Sequence, residues 1–299
     1  MTAIQVDSLR KIFGAAVAVD DLTFGAREGA VTGFLGPNGA GKTTTLRMLL
    51  GLAAPTAGRA TIGGRRYCEL PEPARTVGAV LDSSGFHPGR RAREHLRVLA
   101  SAARLPMARV EQVLELVELA DVGQRRIKGF SLGMQQRLRL AGALLGKPEV
   151  LILDEPANGL DPEGVRWLRR LLRRIADDGG TVLVSSHLLA EVAQTVDDVV
   201  IISRGRLIAA SSLTDLAGRS RPGIRVRTPQ PEQLRRVLAL QGIAAEPVAA
   251  DVVIAVDTTT EAVGVAAAGA GAVIYEMAAE HVDLEQMFLS LTAPEGVTR

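Results

Sequence analysis

The sequence Gly36-Pro37-Asn38-Gly39-Ala40-Gly41-Lys42-Thr43-Thr44 decides the fold, because it fits the phosphate-binding pattern G-x-x-x-x-G-K-[ST]. An apolar run at 30–35 precedes it and predicts a short strand, and a run at 44–50 follows it and predicts a helix. Strand, glycine-rich loop and helix are the context in which this pattern binds phosphate. The alternative, a glycine-rich turn with a chance lysine, requires neither flank.

A triphosphate needs many hydrogen-bond donors and little steric bulk, and this loop offers both. Its three glycines let the backbone curl so that successive N–H groups point inward, and the following helix offers its positive N-terminal end to the phosphates. Lys42 can reach the outer phosphates, and the Thr43 hydroxyl can hold Mg²⁺. We therefore expect a nucleoside triphosphate and Mg²⁺ at this loop.

Two carboxylates follow another apolar run. Residues 150–153 are all aliphatic, and Asp154 and Glu155 come directly after them. This pattern predicts a buried parallel strand with acids at its carboxyl edge, where open α/β sheets bind their ligands. We expect Asp154 to support Mg²⁺ opposite Thr43 and Glu155 to polarise a water molecule. A solvated acidic turn is the alternative, and Pro156 directly after Glu155 argues against it.

Two single residues each admit two interpretations. His187 follows the predicted strand 181–186, so we expect it to contact the γ-phosphate; a structural histidine is the alternative. Phe13 lies where a ring could stack on adenine, and it could equally be an ordinary apolar turn residue.

Segments outside these motifs predict an antiparallel part and a helical part. Residues 3–7 and 17–24 are predicted strands, connected through a turn at 9–14, that form a small sheet ahead of the loop. Residues 91–104 and 107–119 are predicted helices that interrupt the α/β pattern. We interpret them as part of an inserted helical subdomain.

The chain after about residue 220 predicts a separate small α+β domain. Prolines at 222, 229 and 231 mark the boundary. The predicted strands are 224–227, 251–256 and 272–275, and the predicted helices are 232–240, 260–268 and 283–291. These six segments roughly fit the order β-α-β-β-α-β-α, with one strand fewer, and we interpret them as a ferredoxin-like domain. It contains no ligand-binding constellation, so we expect a packing or dimer-supporting role.

Composition excludes several classes of function. The 299-residue chain has a net charge of only +2 and 3% aromatic residues, which predicts no nucleic-acid partner. Cys68 is the only cysteine, so an intrachain disulfide is impossible and a reducing compartment is expected. The first residues do not have the pattern of a signal peptide, so we expect none, and the most apolar runs are too short to span a bilayer. Any role at a membrane is therefore expected to be peripheral and to act through a partner.

The stretch Phe130-Ser131-Leu132-Gly133-Met134-Gln135-Gln136-Arg137-Leu138 resembles the signature sequence of ABC ATPases. It lies ahead of Asp154 at about the spacing of that family. The chain resembles the nucleotide-binding subunit of an ABC transporter over residues 3–215. That resemblance implies an α/β fold: a P-loop NTPase of the ABC ATPase type at 1–218, with an antiparallel β subdomain and a helical subdomain at about 86–140. The accessory α+β domain would occupy 219–299.

The resemblance also implies residue roles. Residues 36–43 would form Walker A, Asp154 would close Walker B, Glu155 would be the general base and His187 the switch histidine. Phe13 would stack on the adenine of ATP, and Asp161 would belong to the D-loop. The signature residues that would contact the γ-phosphate held by a second subunit are Ser131, Gly133 and Gln135. The ATP would thus be clamped between two subunits of a dimer.

Two positions depart from the family pattern. Leu132 replaces the first glycine of the signature, and Asp82 occupies the Q-loop position, where glutamine is usual. Asp82 could face Mg²⁺ but adds negative charge near the triphosphate. These departures support one alternative, a nucleotide-gated regulatory ABC protein with weak hydrolysis. A soluble ABC ATPase of translation or DNA repair would need a second ATPase unit or a long coiled coil, and the chain has neither.

Residues 80–96 resemble ATPases of bacitracin- and daunorubicin-type exporters. This similarity implies an exporter of drugs, antibiotics or lipids with a separate transmembrane permease subunit. The ATPase would then lie at the cytoplasmic face of the cell membrane as a peripheral dimer, with Arg90 to Arg97 near the docking point of the permease.

Overall fold

The computed structural model describes residues 2–81, 85–218 and 223–280. The chain divides into two compact units, the first extending to Leu213 and the second beginning at Thr214. In chain order the first unit contains β1 (Thr2–Phe13), β2 (Ala16–Arg27), β3 (Val31–Leu35), α1 (Lys42–Leu49), β4 (Ala57–Ile62), α2 (Pro73–Thr76), β5 (Val77–Val80), α3 (Ala92–Ala102), α4 (Ala108–Leu116), α5 (Leu132–Leu144), β6 (Val150–Leu153), α6 (Pro162–Asp177), β7 (Thr181–Ser186), α7 (Leu189–Val192), β8 (Asp198–Ser203) and β9 (Arg206–Ser212).

The central sheet has six strands in the order β5-β6-β7-β3-β8-β9. All neighbouring pairs are parallel except β8 and β9, which form the closing hairpin. Every residue of β3, β6 and β7 is buried, as expected for parallel strands covered on both faces. Because these strands are parallel neighbours, the phosphate loop, Asp154 and His187 all follow strands that end at one edge of the sheet.

A second sheet, β2-β1-β4, is antiparallel and packs beside the first. Phe24 of β2 stacks on Phe34 of β3 with ring centroids 5.1 Å apart, within a core that both sheets share. The predicted turn at 9–14 is wrong, because β1 continues to Phe13. Register shifts along β1, and a left-handed backbone at Ser8 (φ 43°), interrupt the alternation that would have marked a long strand.

The helical subdomain contains α3, α4 and α5, which contact one another. The helices predicted at 91–104 and 107–119 are confirmed as α3 and α4 with shorter bounds. The signature stretch enters α5, which begins at Leu132.

The second unit begins within α8 (Leu213–Gly218) and then contains β10 (Gly223–Arg227), α9 (Pro231–Leu240), β11 (Ala245–Ala249), β12 (Val252–Val256), α10 (Thr260–Gly269) and β13 (Glu276–Glu280). Its antiparallel sheet has the order β11-β12-β10-β13, and α9 and α10 pack together over a separate core. This is a β-α-β-β-α-β arrangement. The strand predicted at 272–275 is wrong, since β13 begins at Glu276, and the helix predicted at 283–291 lies outside the described residues. Within the described part of the chain no helix is long and apolar enough to cross a membrane.

Candidate nucleotide site

The phosphate loop depends on glycine because other backbone segments approach it closely. A β-carbon on Gly36 would lie 2.5 Å from the carbonyl oxygen of Ile202, and one on Gly41 would lie 2.5 Å from that of Ala18. Gly41 also has a left-handed backbone (φ 102°) directly before α1 begins at Lys42. The loop surrounds a cavity of about 330 Å³, which is lined by Ala18, Asn38, Gly39, Ala40, Gly41, Lys42, Thr43, Thr44, Asp154, Glu155, Asn158 and His187.

Lys42 is buried and its ammonium group is held by the loop itself. Its Nζ donates to the carbonyl oxygen of Gly36 at 2.6 Å and to that of Pro37 at 3.3 Å. The same Nζ lies 3.3 Å from Oε1 of Glu155. The cation therefore already has three oxygen partners at the place where a phosphate group would supply others.

Asp154 is buried, and both of its carboxylate oxygens accept hydroxyl hydrogen bonds. Thr43 donates to Oδ2 at 2.6 Å and Ser185 donates to Oδ1 at 2.5 Å. The described residues contain no group of three or more His, Cys, Asp or Glu side chains that could hold a metal ion. Mg²⁺ at nucleotide sites usually binds through one or two carboxylates together with substrate phosphates, so Thr43 and Asp154 fit this ion.

Glu155 connects the lysine to the histidine. Its Oε2 lies 2.9 Å from Nδ1 of His187, while Oε1 faces Lys42. Its backbone is left-handed (φ 47°), an uncommon conformation for a residue other than glycine, asparagine or aspartate. The structure thus brings together Lys42, Glu155 and His187, as the sequence predicts.

The signature residues lie outside this cavity. Ser131 caps the N-terminus of α5 by accepting a hydrogen bond from the Met134 N–H at 3.2 Å, and the Gln135 amide donates to the carbonyl oxygen of Phe130. The α-carbon of Gly133 lies beside the loop that follows Glu155, since a β-carbon there would be 3.6 Å from the Gly159 carbonyl oxygen. Leu132 is 69% exposed.

Asp161 caps the N-terminus of α6, where its Oδ1 accepts from the Gly164 N–H at 2.7 Å. Phe13 lies at the end of β1, is 54% exposed and has the Lys11 ammonium 4.8 Å from its ring centroid. Neither residue lines the cavity. Asp82 lies outside the described residues.

Sequence reasoning missed three residues at this site: Ala18, Asn158 and Ser185. Ala18 lines the cavity from β2, and its carbonyl oxygen is the atom that excludes a β-carbon at Gly41. Asn158 lies in the loop after Glu155. Ser185 lies within a strand that the sequence does predict, but its importance comes from the register of that strand against β6.

A larger and mostly apolar cleft of about 640 Å³ lies between β5 and the helical subdomain. Phe86 meets His95 of α3 edge-on in this cleft, with centroids 5.1 Å apart, and the Arg139 guanidinium lies 5.1 Å from the Phe86 centroid. Burial, with a smaller contribution from the charge of Arg90, lowers the pKa of His95 below its ordinary value.

Comparison with known proteins agrees with this geometry. A family model described as ABC transporter matches residues 19–158, and a second model, described as a domain of unknown function (DUF8746), matches residues 222–285. A structure of the ATP-binding subunit of an ABC transporter superposes with a TM-score of 0.66 at 30% identity, covering 73% of this chain and 93% of that one.

The phosphate loop, the carboxylate edge and the helical insertion define an ATP-binding cassette. The chain is 42% identical over 223 residues to the bacitracin transport ATP-binding protein BcrA of Bacillus licheniformis, covering 74% of this chain and 73% of the relative. It is 32% identical over 205 residues to the lantibiotic transport ATP-binding protein SrtF of Streptococcus pyogenes, covering 69% of this chain and 89% of the relative. The chain belongs to the ATP-binding proteins of ABC transporters and is an ATP hydrolase of that type.

Proposed function

We propose that this chain is the ATP-hydrolysing subunit of an exporter of antibiotics, drugs or lipids, and that it drives a separate membrane subunit. The observation that carries the catalytic part is the contact of one carboxylate, Glu155, with both Lys42 and His187 at the rim of the phosphate cavity. The export part is supported by the relatives, two of which are named for bacitracin and lantibiotic transport.

The residues around the cavity would each have a separate role in ATP hydrolysis. The loop N–H groups and Lys42 would hold the phosphates, and Lys42 would exchange its carbonyl partners for phosphate oxygens. Glu155 would polarise the attacking water and take its proton, with His187 fixing the Glu155 carboxylate and contacting the γ-phosphate. Thr43 and Asp154 would hold Mg²⁺, which neutralises charge on the β- and γ-phosphates. Asp82 is proposed as a further metal ligand on its sequence position alone.

A homodimer would complete the site. Ser131, Gly133 and Gln135 lie at the N-terminus of the 13-residue helix α5, outside their own subunit's cavity. A helix N-terminus favours an anion, so this end suits the γ-phosphate of ATP held by a second copy. Asp161 lies at the neighbouring N-terminus of α6, and we propose that it contacts the same interface.

The membrane subunit would dock at the apolar cleft beside Phe86 and His95. The cleft has a volume of about 640 Å³, and His95, which lies within the segment Arg90 to Arg97, is one of the α3 residues that line it. This partner would hold the chain at the cytoplasmic face of the membrane as a peripheral subunit.

The decisive test of the catalytic part is Glu155→Gln. The amide keeps the size of the side chain but cannot take a proton, so turnover should fall by about 10² or more while nucleotide binding is kept. Steady-state phosphate release and titration with a fluorescent ATP analogue measure the two quantities separately. Wild-type turnover in the variant would remove Glu155 from the mechanism.

The test of the export part uses the chain together with its membrane subunit in a host sensitive to bacitracin. Resistance that depends on Glu155 is the expected result. If the pair hydrolyses ATP but confers no resistance to bacitracin, lantibiotics or lipophilic drugs, the substrate class is wrong and the ATPase assignment stands.

A further inference from the structure

Ser185 hydrogen-bonds to both acidic residues of the site, although nothing in the phosphate-loop mechanism uses it. We propose that Ser185 is a positioning residue that sets the orientation of Asp154 and the backbone of Glu155 for hydrolysis. This inference rests on the proposed roles of those two residues.

The sheet register explains how Ser185 reaches them. Leu153 of β6 pairs with Val184 of the parallel strand β7, so the next position on each strand places Asp154 beside Ser185. The two side chains meet with Ser185 Oγ 2.5 Å from Oδ1 of Asp154. Ser185 is fully buried and Asp154 nearly so, and water therefore does not compete for this hydrogen bond.

The single proton of the serine hydroxyl fixes the direction of the arrangement. Because the Ser185 hydroxyl donates to Oδ1, its remaining lone pairs can only accept, and one accepts from the Glu155 N–H at 2.9 Å. Oδ2 of Asp154 is then the oxygen turned toward Thr43, which donates to it at 2.6 Å. Ser185 thus determines which carboxylate oxygen faces the metal-binding side of the cavity.

The second hydrogen bond acts on the general base. Glu155 leaves β6 with a left-handed backbone, and the bond from its N–H to Ser185 stabilises this uncommon conformation. In that conformation the Glu155 carboxylate lies between Lys42 and His187. The Ser185 hydroxyl therefore orients both the Asp154 carboxylate, which we propose as a metal ligand, and the Glu155 carboxylate, which we propose as the general base.

Replacing Ser185 with alanine removes both bonds and keeps the loop, the lysine and the threonine. Mutation of a residue that hydrogen-bonds to a metal ligand typically lowers metal affinity or activity by about 10- to 100-fold. For Ser185→Ala we expect the Mg²⁺ concentration that gives half of the maximal nucleotide affinity to rise about tenfold or more. We expect turnover to fall by about 10- to 100-fold. Nucleotide affinity without Mg²⁺ should stay within about twofold of wild type, because no phosphate contact changes.

The experiment compares three full-length variants. Ser185→Ala loses the hydroxyl, Ser185→Thr keeps it, and Thr32→Val is the control, since the Thr32 hydroxyl is buried in β3 of the same sheet without a hydrogen-bond partner among the described residues. Fluorescent-nucleotide titrations at a series of Mg²⁺ concentrations give the metal dependence, and phosphate release gives turnover. Unfolding followed through Trp167 identifies a variant that is merely destabilised.

The expected result is an altered Mg²⁺ dependence and lower turnover for Ser185→Ala, recovery in Ser185→Thr and no change in Thr32→Val. A Ser185→Ala protein with wild-type Mg²⁺ dependence and turnover would overturn the proposal, and so would an equal loss in Thr32→Val. Neither result would affect the role of Glu155, which Glu155→Gln tests independently.

Discussion

Single residues of the phosphate loop differ in why they must be glycine. Gly39 and Gly41 both have positive φ, 80° and 102°, but only Gly41 has backbone within reach of a β-carbon, the Ala18 carbonyl oxygen at 2.5 Å. Gly39→Ala should lower the free energy of unfolding by about 1–2 kcal/mol, the cost of a left-handed alanine. Gly41→Ala should cost at least about 3 kcal/mol, because β2 must also move. Urea unfolding followed through Trp167, the only tryptophan, measures both, and equal costs would contradict the close approach of Ala18.

The lowered pKa of His95 predicts a pH dependence of stability. Unfolded His95 takes up a proton as the pH falls through 6.5, whereas folded His95 resists protonation because it is partly buried and faces Arg90. The free energy of unfolding should therefore decrease as the pH falls from 6.5 toward the lowered pKa. Urea unfolding at pH 7.5 and 5.5 measures this loss, which should be smaller in His95→Gln. An equal loss in the variant would mean that other groups carry the dependence.

The sequence predicts which residues meet at the site but not how they are paired. The loop pattern and the two strand ends are enough to place Lys42, Glu155 and His187 at one edge. The Glu155 contact with Lys42 and the two bonds of Ser185 depend on strand register and on the left-handed backbone at Glu155. Neither the strand register nor the left-handed backbone at Glu155 can be predicted from the residue types. A serine within an aliphatic strand, such as Ser185, looks like a polar substitution that the strand tolerates.

At the scale of elements, the buried strands of the central sheet were predictable and the two edge strands of the second unit were not. The continuous apolar runs of β3, β6 and β7 identify them, because both faces of these strands are covered. The edge strands β11 and β13 were not predicted, because their sequences AEPVA and EMAAE consist mostly of polar or small residues and show no apolar alternation. Proline in β11 further reduces the strand signal, although an edge position tolerates it.

The hairpin of β1 and β2 exposes an aromatic residue, Phe13, whose proposed contact with adenine can be tested. Phe13 is exposed at its end, so Phe13→Ala should change the free energy of unfolding by no more than about 0.5 kcal/mol. If its ring stacks on adenine, the same change should weaken ATP binding by about 1–3 kcal/mol. Val17, on the facing strand and 45% exposed, provides the matched control, because Val17→Ala should alter neither quantity. Fluorescent-ATP titration decides between the two interpretations of Phe13, and unchanged affinity would leave it an ordinary hairpin residue.

At the scale of the whole molecule, two separate cores predict two separable stabilities. The second unit has its own buried cluster, which includes Leu234 and Leu238 of α9 and Val263 of α10, and Trp167 lies in the first unit. Leu234→Ala removes a fully buried side chain and should destabilise the second unit by about 2–5 kcal/mol. Because none of these residues lines the nucleotide cavity, the affinity for ATP should remain within about twofold of wild type.

Urea unfolding of Leu234→Ala followed by Trp167 fluorescence should be unchanged, while far-ultraviolet circular dichroism should show an earlier transition. A shift of both signals together would mean that the two units unfold as one, and the accessory domain would then stabilise the ATPase directly.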